Sequence, residues 1–267
     1  MKCEPYPVVA DIDFAEGPTF DSRGNLYFVN YIRNGTIGRK TPDGCVSVWV
    51  EIPGGQANGL NADAQDRIVV ADYGGKRLLR FSQTREMEVL AAGCEGEPFL
   101  GLNDVCLDTA GNIYFSDPTG SGRDNAIGAI YRYSTAGLLS RLDSGMAFPN
   151  GLAVSQHQDR LFVAESGYNR ILEYRLSPEG KATDRRVFHQ FPNDTVDGIA
   201  FDELGRLWVA RWTNQTIDVL SASGELEASI PGGGDQVTNL AFWGKSLYVT
   251  VAGRHSIHRF DVGVGGA

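Results

Sequence analysis

Runs of four β-branched and aromatic residues recur along this chain, each set off by a short polar turn. They are Leu26-Tyr27-Phe28-Val29, Ile68-Val69-Val70-Ala71, Ile113-Tyr114-Phe115-Ser116, Leu161-Phe162-Val163-Ala164, Leu207-Trp208-Val209-Ala210 and Leu247-Tyr248-Val249-Thr250. Residues of this kind suit a pleated, packed sheet. Turns such as Ser22-Arg23-Gly24-Asn25, Thr109-Ala110-Gly111-Asn112 and Glu203-Leu204-Gly205-Arg206 stand before them. Ahead of the turns come six related segments: Glu16-Gly17-Pro18, Asn58-Gly59-Leu60, Asn103-Asp104-Val105, Asn150-Gly151-Leu152, Asp197-Gly198-Ile199 and Thr238-Asn239-Leu240. Their first residues lie 42, 45, 47, 47 and 41 positions apart. The chain is a sixfold internal repeat.

A third run follows in most repeats, as in Arg77–Phe81, Ala129–Tyr133, Arg170–Tyr174 and Ser256–Phe260, and a fourth precedes the next repeat, as in Val46–Val50 and Arg186–His189. Four strands per repeat matches the roughly 40–45 residues of a propeller blade, and radial repetition protects sheet edges. The expected fold is all-β: a six-bladed β-propeller with four antiparallel strands per blade, residues 1–267 forming a single domain. The sixth repeat stops after its third strand near Val262, whereas Tyr6-Pro7-Val8-Val9-Ala10 is an unmatched fourth strand ahead of the first repeat. The N-terminal strand should therefore close the last blade. Gly232-Gly233-Gly234 reads as an interblade loop, and Gly263 to Gly266 as a loose tail.

Composition narrows the partners. With 33 acidic and 24 basic side chains the net charge is −9, so a phosphate backbone would meet its own sign and no nucleic-acid partner is expected. No apolar run approaches the roughly 18 residues of a membrane span, and Met1-Lys2-Cys3-Glu4-Pro5 lacks the apolar stretch of a secretory signal. The expectation is a cytoplasmic protein without a membrane partner, a monomer or weak homodimer. Cys3, Cys45, Cys94 and Cys106 form no CxxC pair or metal-finger spacing and read as free thiols, Cys106 in a core strand.

Equivalent positions on the innermost strands should ring the central channel. The first register reads Glu16, Asn58, Asn103, Asn150, Asp197 and Thr238, every one carrying oxygen and two of them charged. Buried unpaired carboxylates are expensive, so this ring calls for water, mutual hydrogen bonds or a bound ion. Hard divalent cations take carboxylate and amide oxygens, and Glu plus Asp would balance one Ca²⁺. One divalent metal ion is expected, calcium first, with Zn²⁺, Mn²⁺ or Mg²⁺ as alternatives. A second register closes each second strand: Asn30, Asp72, Asp117, Glu165, Arg211 and Val251. At the channel mouth these residues would hold substrate hydroxyls, with Arg211 offering a fork to a carbonyl or carboxylate; a solvated rim is the alternative. The four histidines fall in turns and outer strands. There is no Gly-x-Ser-x-Gly elbow, dinucleotide fingerprint or P-loop.

Ala15-Glu16-Gly17-Pro18, Gly101-Leu102-Asn103-Asp104, Ile113-Tyr114-Phe115-Ser116-Asp117-Pro118, Phe148-Pro149-Asn150-Gly151 and Val196-Asp197-Gly198-Ile199 together resemble the gluconolactonase / senescence marker protein (regucalcin) / luciferin-regenerating enzyme family. The resemblance spans about residues 8–261. It implies a six-bladed propeller with a divalent metal in the channel and hydrolysis of sugar lactones. It places metal ligands on Glu16, Asn150 and Asp197, with Asn103 as a further ligand or a substrate contact, and gives Asp197 the acid/base role. Asn58, Asn103, Asp117 and Arg211 are the candidate substrate contacts. Where animal members carry an arginine two residues before the Asn, this chain has Gly101. Phosphotriester hydrolysis on the same site is the nearest alternative activity. An NHL-like binding propeller, suggested by segments such as Asp159–Ile171, is the non-enzymatic one.

Overall fold

A computed structural model describes residues 5–31, 33, 35–193 and 195–267; Cys3, read above as a free thiol, lies outside them. Six four-stranded antiparallel sheets follow one another along the chain. The first strands of blades one to six are Ala15–Phe20, Ala57–Ala62, Val105–Leu107, Pro149–Val154, Val196–Phe201 and Val237–Trp243. Each touches the next, and the sixth returns to the first, so they line one axis.

The second strands explain the unbroken apolar runs. Leu26–Asn30, Ile68–Asp72, Ile113–Asp117 and Leu207–Arg211 are buried at every position, because both faces of a blade pack against neighbouring blades. Alternation reappears only where one face meets solvent. Outer strands show the gradient: the first three residues of Val46–Val50 and of Met87–Ala91 are exposed. Burying a ring such as Phe115 or Trp208, both essentially inaccessible, contributes about 2–3 kcal/mol each.

Closure occurs as the sequence implies. Tyr6–Val9 pairs antiparallel with Ser256–Asp261, with Tyr6 opposite Arg259 and Pro7 opposite His258, and is the outer strand of blade six. An edge position tolerates Pro7, which has no N–H to donate. The Thr238 hydroxyl lies 2.8 Å from the Ala15 carbonyl oxygen and stitches blade six to blade one.

Two features depart from expectation. A short hairpin, Gly93–Cys94 with Glu97–Pro98, stands between blades two and three; strands of two residues leave no periodic signal. The segment after Gly263 is not loose. Glu203 N–H donates to the Gly265 carbonyl at 2.9 Å and Ala267 N–H to that of Phe201 at 3.1 Å, fastening it beside blade five.

Candidate functional site

The first strands reach the axis by breaking their own pairing. In five blades the register with the second strand shifts, between Glu16 and Thr19, Ala57 and Leu60, Pro149 and Leu152, Val196 and Ile199, and Val237 and Leu240. Each shift is a bulge that leaves a residue outside the ladder and re-aims the side chains beside it. Glycines at the bulges let the strands crowd together: a Cβ on Gly151 would lie 2.6 Å from the Asp197 carbonyl oxygen and 2.8 Å from Gly198 Cα.

Five of the six first-register residues, Glu16, Asn58, Asn103, Asn150 and Asp197, line one cavity of about 280 Å³. The sixth, Thr238, is spent on ring closure and does not line it. Glu16 and Asp197 are both buried, and among the described residues no Lys, Arg or His lines the cavity with them. Burial foremost, then the charges of Asp197 and Asp104, raises the Glu16 carboxyl well above the ordinary carboxylate range; the Gly17 N–H and the Asn239 amide oppose this.

Where four repeats have glycine after the register residue, blades three and six have Asp104 and Asn239. These opposite blades meet across the axis, the Asn239 amide donating to Asp104 Oδ2 at 3.2 Å. Val105 N–H holds the other oxygen at 2.9 Å. Burial lifts the Asp104 carboxyl to about 6. Glycine at Gly59 and Gly198 makes this crossing possible, since a Cβ there would strike Asp104 and Asn239.

The second register does other work. Asp117 does not line the cavity; its carboxylate accepts the N–H groups of Leu100 (2.9 Å) and Gly101 (2.6 Å). Burial raises its pKa and those donors pull it back. Asp72 likewise accepts from Gln56 N–H at 2.7 Å and pairs with Arg77 at 2.8 Å. Glu165 accepts from Ala147 N–H at 2.8 Å and from Arg170 at 2.6 Å. Arg211, expected to meet substrate, is buried against Asp218 at 2.6 Å, the Asn193 carbonyl at 2.5 Å and the Phe191 ring. These side chains fasten the segments entering the first strands instead of facing the mouth.

Aromatic rings occupy the mouth: Phe14, Tyr31, Tyr73, Phe148 and Trp212, with Thr195. Sequence reasoning missed them, although a signal existed. Tyr31, Tyr73 and Trp212 each follow a second-register residue by one position, and Phe14 and Phe148 precede a first-register residue by two. Phe14 and Phe148 have φ of 64° and 55°, a left-handed backbone that costs a bulky residue about 1–3 kcal/mol. Tyr31 is pushed up to about 12 by burial, the neighbouring Tyr73 and the Glu16 charge, so its phenol stays neutral.

A family model described as the SMP-30/Gluconolactonase/LRE-like region matches residues 14–253. The chain belongs to this family. It is 26% identical to a gluconolactonase of Zymomonas mobilis, the match covering 96% of this chain and 80% of that protein. With a diisopropyl-fluorophosphatase of Loligo vulgaris it shares 29% identity over 95% of this chain and 90% of the other. The solved structure of a calcium-binding protein, regucalcin, from Agrobacterium tumefaciens superposes with a TM-score of 0.87 at 20% identity, covering 99% and 96% of the two chains. That likeness is one of fold.

Membership in the family sharpens two points about the donors. Among the described residues no three His, Cys, Asp or Glu side chains form a metal-binding group; the donor set is two carboxylates with neutral amides. Such an all-oxygen set suits a hard divalent cation, and two buried carboxylates in a cavity that no described Lys, Arg or His lines favour positive charge or protons there. The chemistry of the residues therefore fits the metal that the resemblance implies. At Gly101, the family's arginine position in animal members, a Cβ would sit 3.1 Å from the Tyr73 carbonyl oxygen and 3.2 Å from Thr119 Cβ. A side chain there would have to displace Thr119 and hold a φ of 153°.

Proposed function

We propose that this protein is a metal-dependent lactonase whose reaction occurs over Glu16, Asn103, Asn150 and Asp197. The observation that carries the reading is the convergence of five oxygen donors from five blades, two of them buried carboxylates with no Lys, Arg or His on the lining among the described residues. Gluconolactonase and pentonolactonase relatives support lactone hydrolysis as the reaction class. Glu16, Asn150 and Asp197 would hold the ion, with Asn103 as a fourth ligand or a contact to substrate. A divalent cation there supplies Lewis acidity toward a carbonyl oxygen and lowers the pKa of water.

The chain's own groups would do the rest. Glu16 and Asp197 fix the negative charge of the floor. Asp197 accepts a proton from the attacking water on one carboxylate oxygen and returns it to the ring oxygen as the acyl–oxygen bond breaks. Asn58 and Asn103 orient the lactone through their amides, and the aromatic mouth keeps bulk water from the floor. Calcium is the leading candidate metal, on the oxygen-only donor set. Cytoplasmic action as a monomer or weak homodimer completes the proposal.

Phosphotriester hydrolysis is the second reading, favoured by the likeness to the Loligo vulgaris diisopropyl-fluorophosphatase over 95% of this chain. A polarised P=O needs the same floor. A non-catalytic propeller is the weaker reading, because a binding surface does not require two buried carboxylates. Metal analysis of protein purified without chelator, then pH-stat assays on a lactone panel beside a fluorophosphate, separates the three. Turnover that survives exhaustive chelation, or no turnover by metal-loaded protein, removes the proposal.

A further inference from the structure

The mouth of the cavity carries information about substrate that the floor does not. Trp212, Phe14, Tyr31 and Tyr73 form a continuous chain of rings, with centroid distances of 5.5, 5.5 and 5.8 Å between successive members. They come from the ends of blades five, one and two, so the arc is assembled by the propeller and not by one segment. Phe148 stands on the lining from blade four. Phe14 and Phe148 are held there in left-handed backbone, a conformation favoured only by residues without a bulky side chain.

Hydrogen-bonding capacity is correspondingly scarce. The Tyr31 and Tyr73 rings meet edge to face, with centroids 5.8 Å apart. With Asn150 on the cation, Asn58, Asn103 and Thr195 are the amides and aliphatic hydroxyl left for the substrate among the described lining residues. A polyhydroxylated lactone would bring more hydroxyls than these can satisfy, and a buried hydroxyl without a partner is penalised. Among the described residues no Lys or Arg lines the cavity to pair with a phosphate or carboxylate carried by the substrate. The second-register arginine is turned away to Asp218, and Gly101 cannot supply another. A cavity of about 280 Å³ admits one or two fused rings.

We propose that the ring arc selects a neutral, aryl-bearing lactone over polyhydroxylated or phosphorylated sugar lactones, with Trp212 as a specificity-determining residue. Aromatic faces meet an apolar ring in offset or edge contacts at the separations the arc already uses. This inference rests on the lactonase reading above.

The test compares dihydrocoumarin, glucono-1,5-lactone and its 6-phosphate by pH-stat on the metal-loaded protein, alongside Trp212→Ala. The expected result is a kcat/KM at least about tenfold higher for dihydrocoumarin, carried by KM, with that preference falling about tenfold in Trp212→Ala. Binding of two non-hydrolysable lactams, 3,4-dihydro-2-quinolinone and gluconolactam, is followed by calorimetry in both proteins. Preference for the sugar lactone or its lactam, or an equal loss for both substrates in Trp212→Ala, overturns the proposal. If no lactone opens while the quinolinone still binds more tightly and loses that advantage in Trp212→Ala, the lactonase reading falls and the ring arc keeps its assigned selectivity.

Discussion

Two rings of polar side chains encircle this propeller at fixed repeat positions, and they live under opposite electrostatic regimes. In the second ring Asp72, Asp117 and Glu165 each accept backbone N–H groups, and Asp72, Glu165 and Arg211 are ion-paired. In the first, Glu16 and Asp197 are also buried, and among the described residues no Lys, Arg or His lines their cavity. Burial of a carboxylate therefore does not by itself mark a site. What distinguishes the two is the kind of donor: Arg77 and Arg170 reach carboxylates of the second ring, whereas no Lys, Arg or His among the described residues lines the cavity of the first.

The sharpest way to break this contrast is Glu16→Gln. Activity should fall by at least about a thousandfold and bound metal should be lost, while circular dichroism and melting temperature show the fold retained. Asp197→Asn should behave alike; undiminished turnover in either variant would place the chemistry elsewhere.

The opposite pattern is expected for Glu165→Ala. Removing a buried carboxylate that holds Ala147 N–H and Arg170 should cost about 3–5 kcal/mol of stability, read from urea melts. Turnover well below the melting temperature should stay within about tenfold. A variant as stable as the parent would show the second ring to be dispensable for folding.

Acidity sharpens the comparison further. Asp104 titrates at about 6 instead of 3.8, and Glu16 is also raised. For carboxyls whose folded pKa exceeds the unfolded one, stability is fully present below about pH 4 and is lost as pH rises through the folded value. Two units on Asp104 correspond to roughly 3 kcal/mol. Chelated protein should thus have a lower urea midpoint at pH 7.5 than at pH 5, and added divalent cation should recover the difference. A midpoint that climbs over this range in chelator would contradict the upward shifts of Glu16 and Asp104.

The smallest effect belongs to Asn239→Ala, which severs the bridge to Asp104 and the amide contact to Glu16 while leaving every proposed ligand in place. Metal affinity, measured by calorimetry, should weaken about tenfold, as for other groups that orient ligands. An unchanged affinity would reduce the bridge to a structural filler.

Much of the architecture was legible because propeller signals are local. Repeat spacing, turn chemistry and runs such as Leu207–Ala210 reflect blade-on-blade packing, and the unmatched Tyr6–Ala10 segment announced closure. The inner register was legible too, since Glu16, Asn58, Asn103, Asn150 and Asp197 occupy equivalent places in equivalent strands. The mouth was not. Arg211 and Trp212 are chain neighbours, yet one turns into the blade and the other lines the cavity; a step of one residue reverses facing in a strand. Thr238 looked like a sixth ring member and instead closes the seam with Ala15. The segment after Gly263 had no composition suggestive of order, but it found carbonyl and N–H partners in Phe201 and Glu203.

The sequence by itself determined six strand-rich repeats, a closing N-terminal strand and the oxygen-bearing residues that would meet at the axis, because side-chain period and turn chemistry are set by adjacent residues. Tertiary structure alone decided which carboxylates found partners, that Asp104 and Asn239 join across the channel, and that rings from distant blades form one mouth. Those outcomes depend on distances between segments far apart along the chain, and such distances exist only once the blades have closed into a ring.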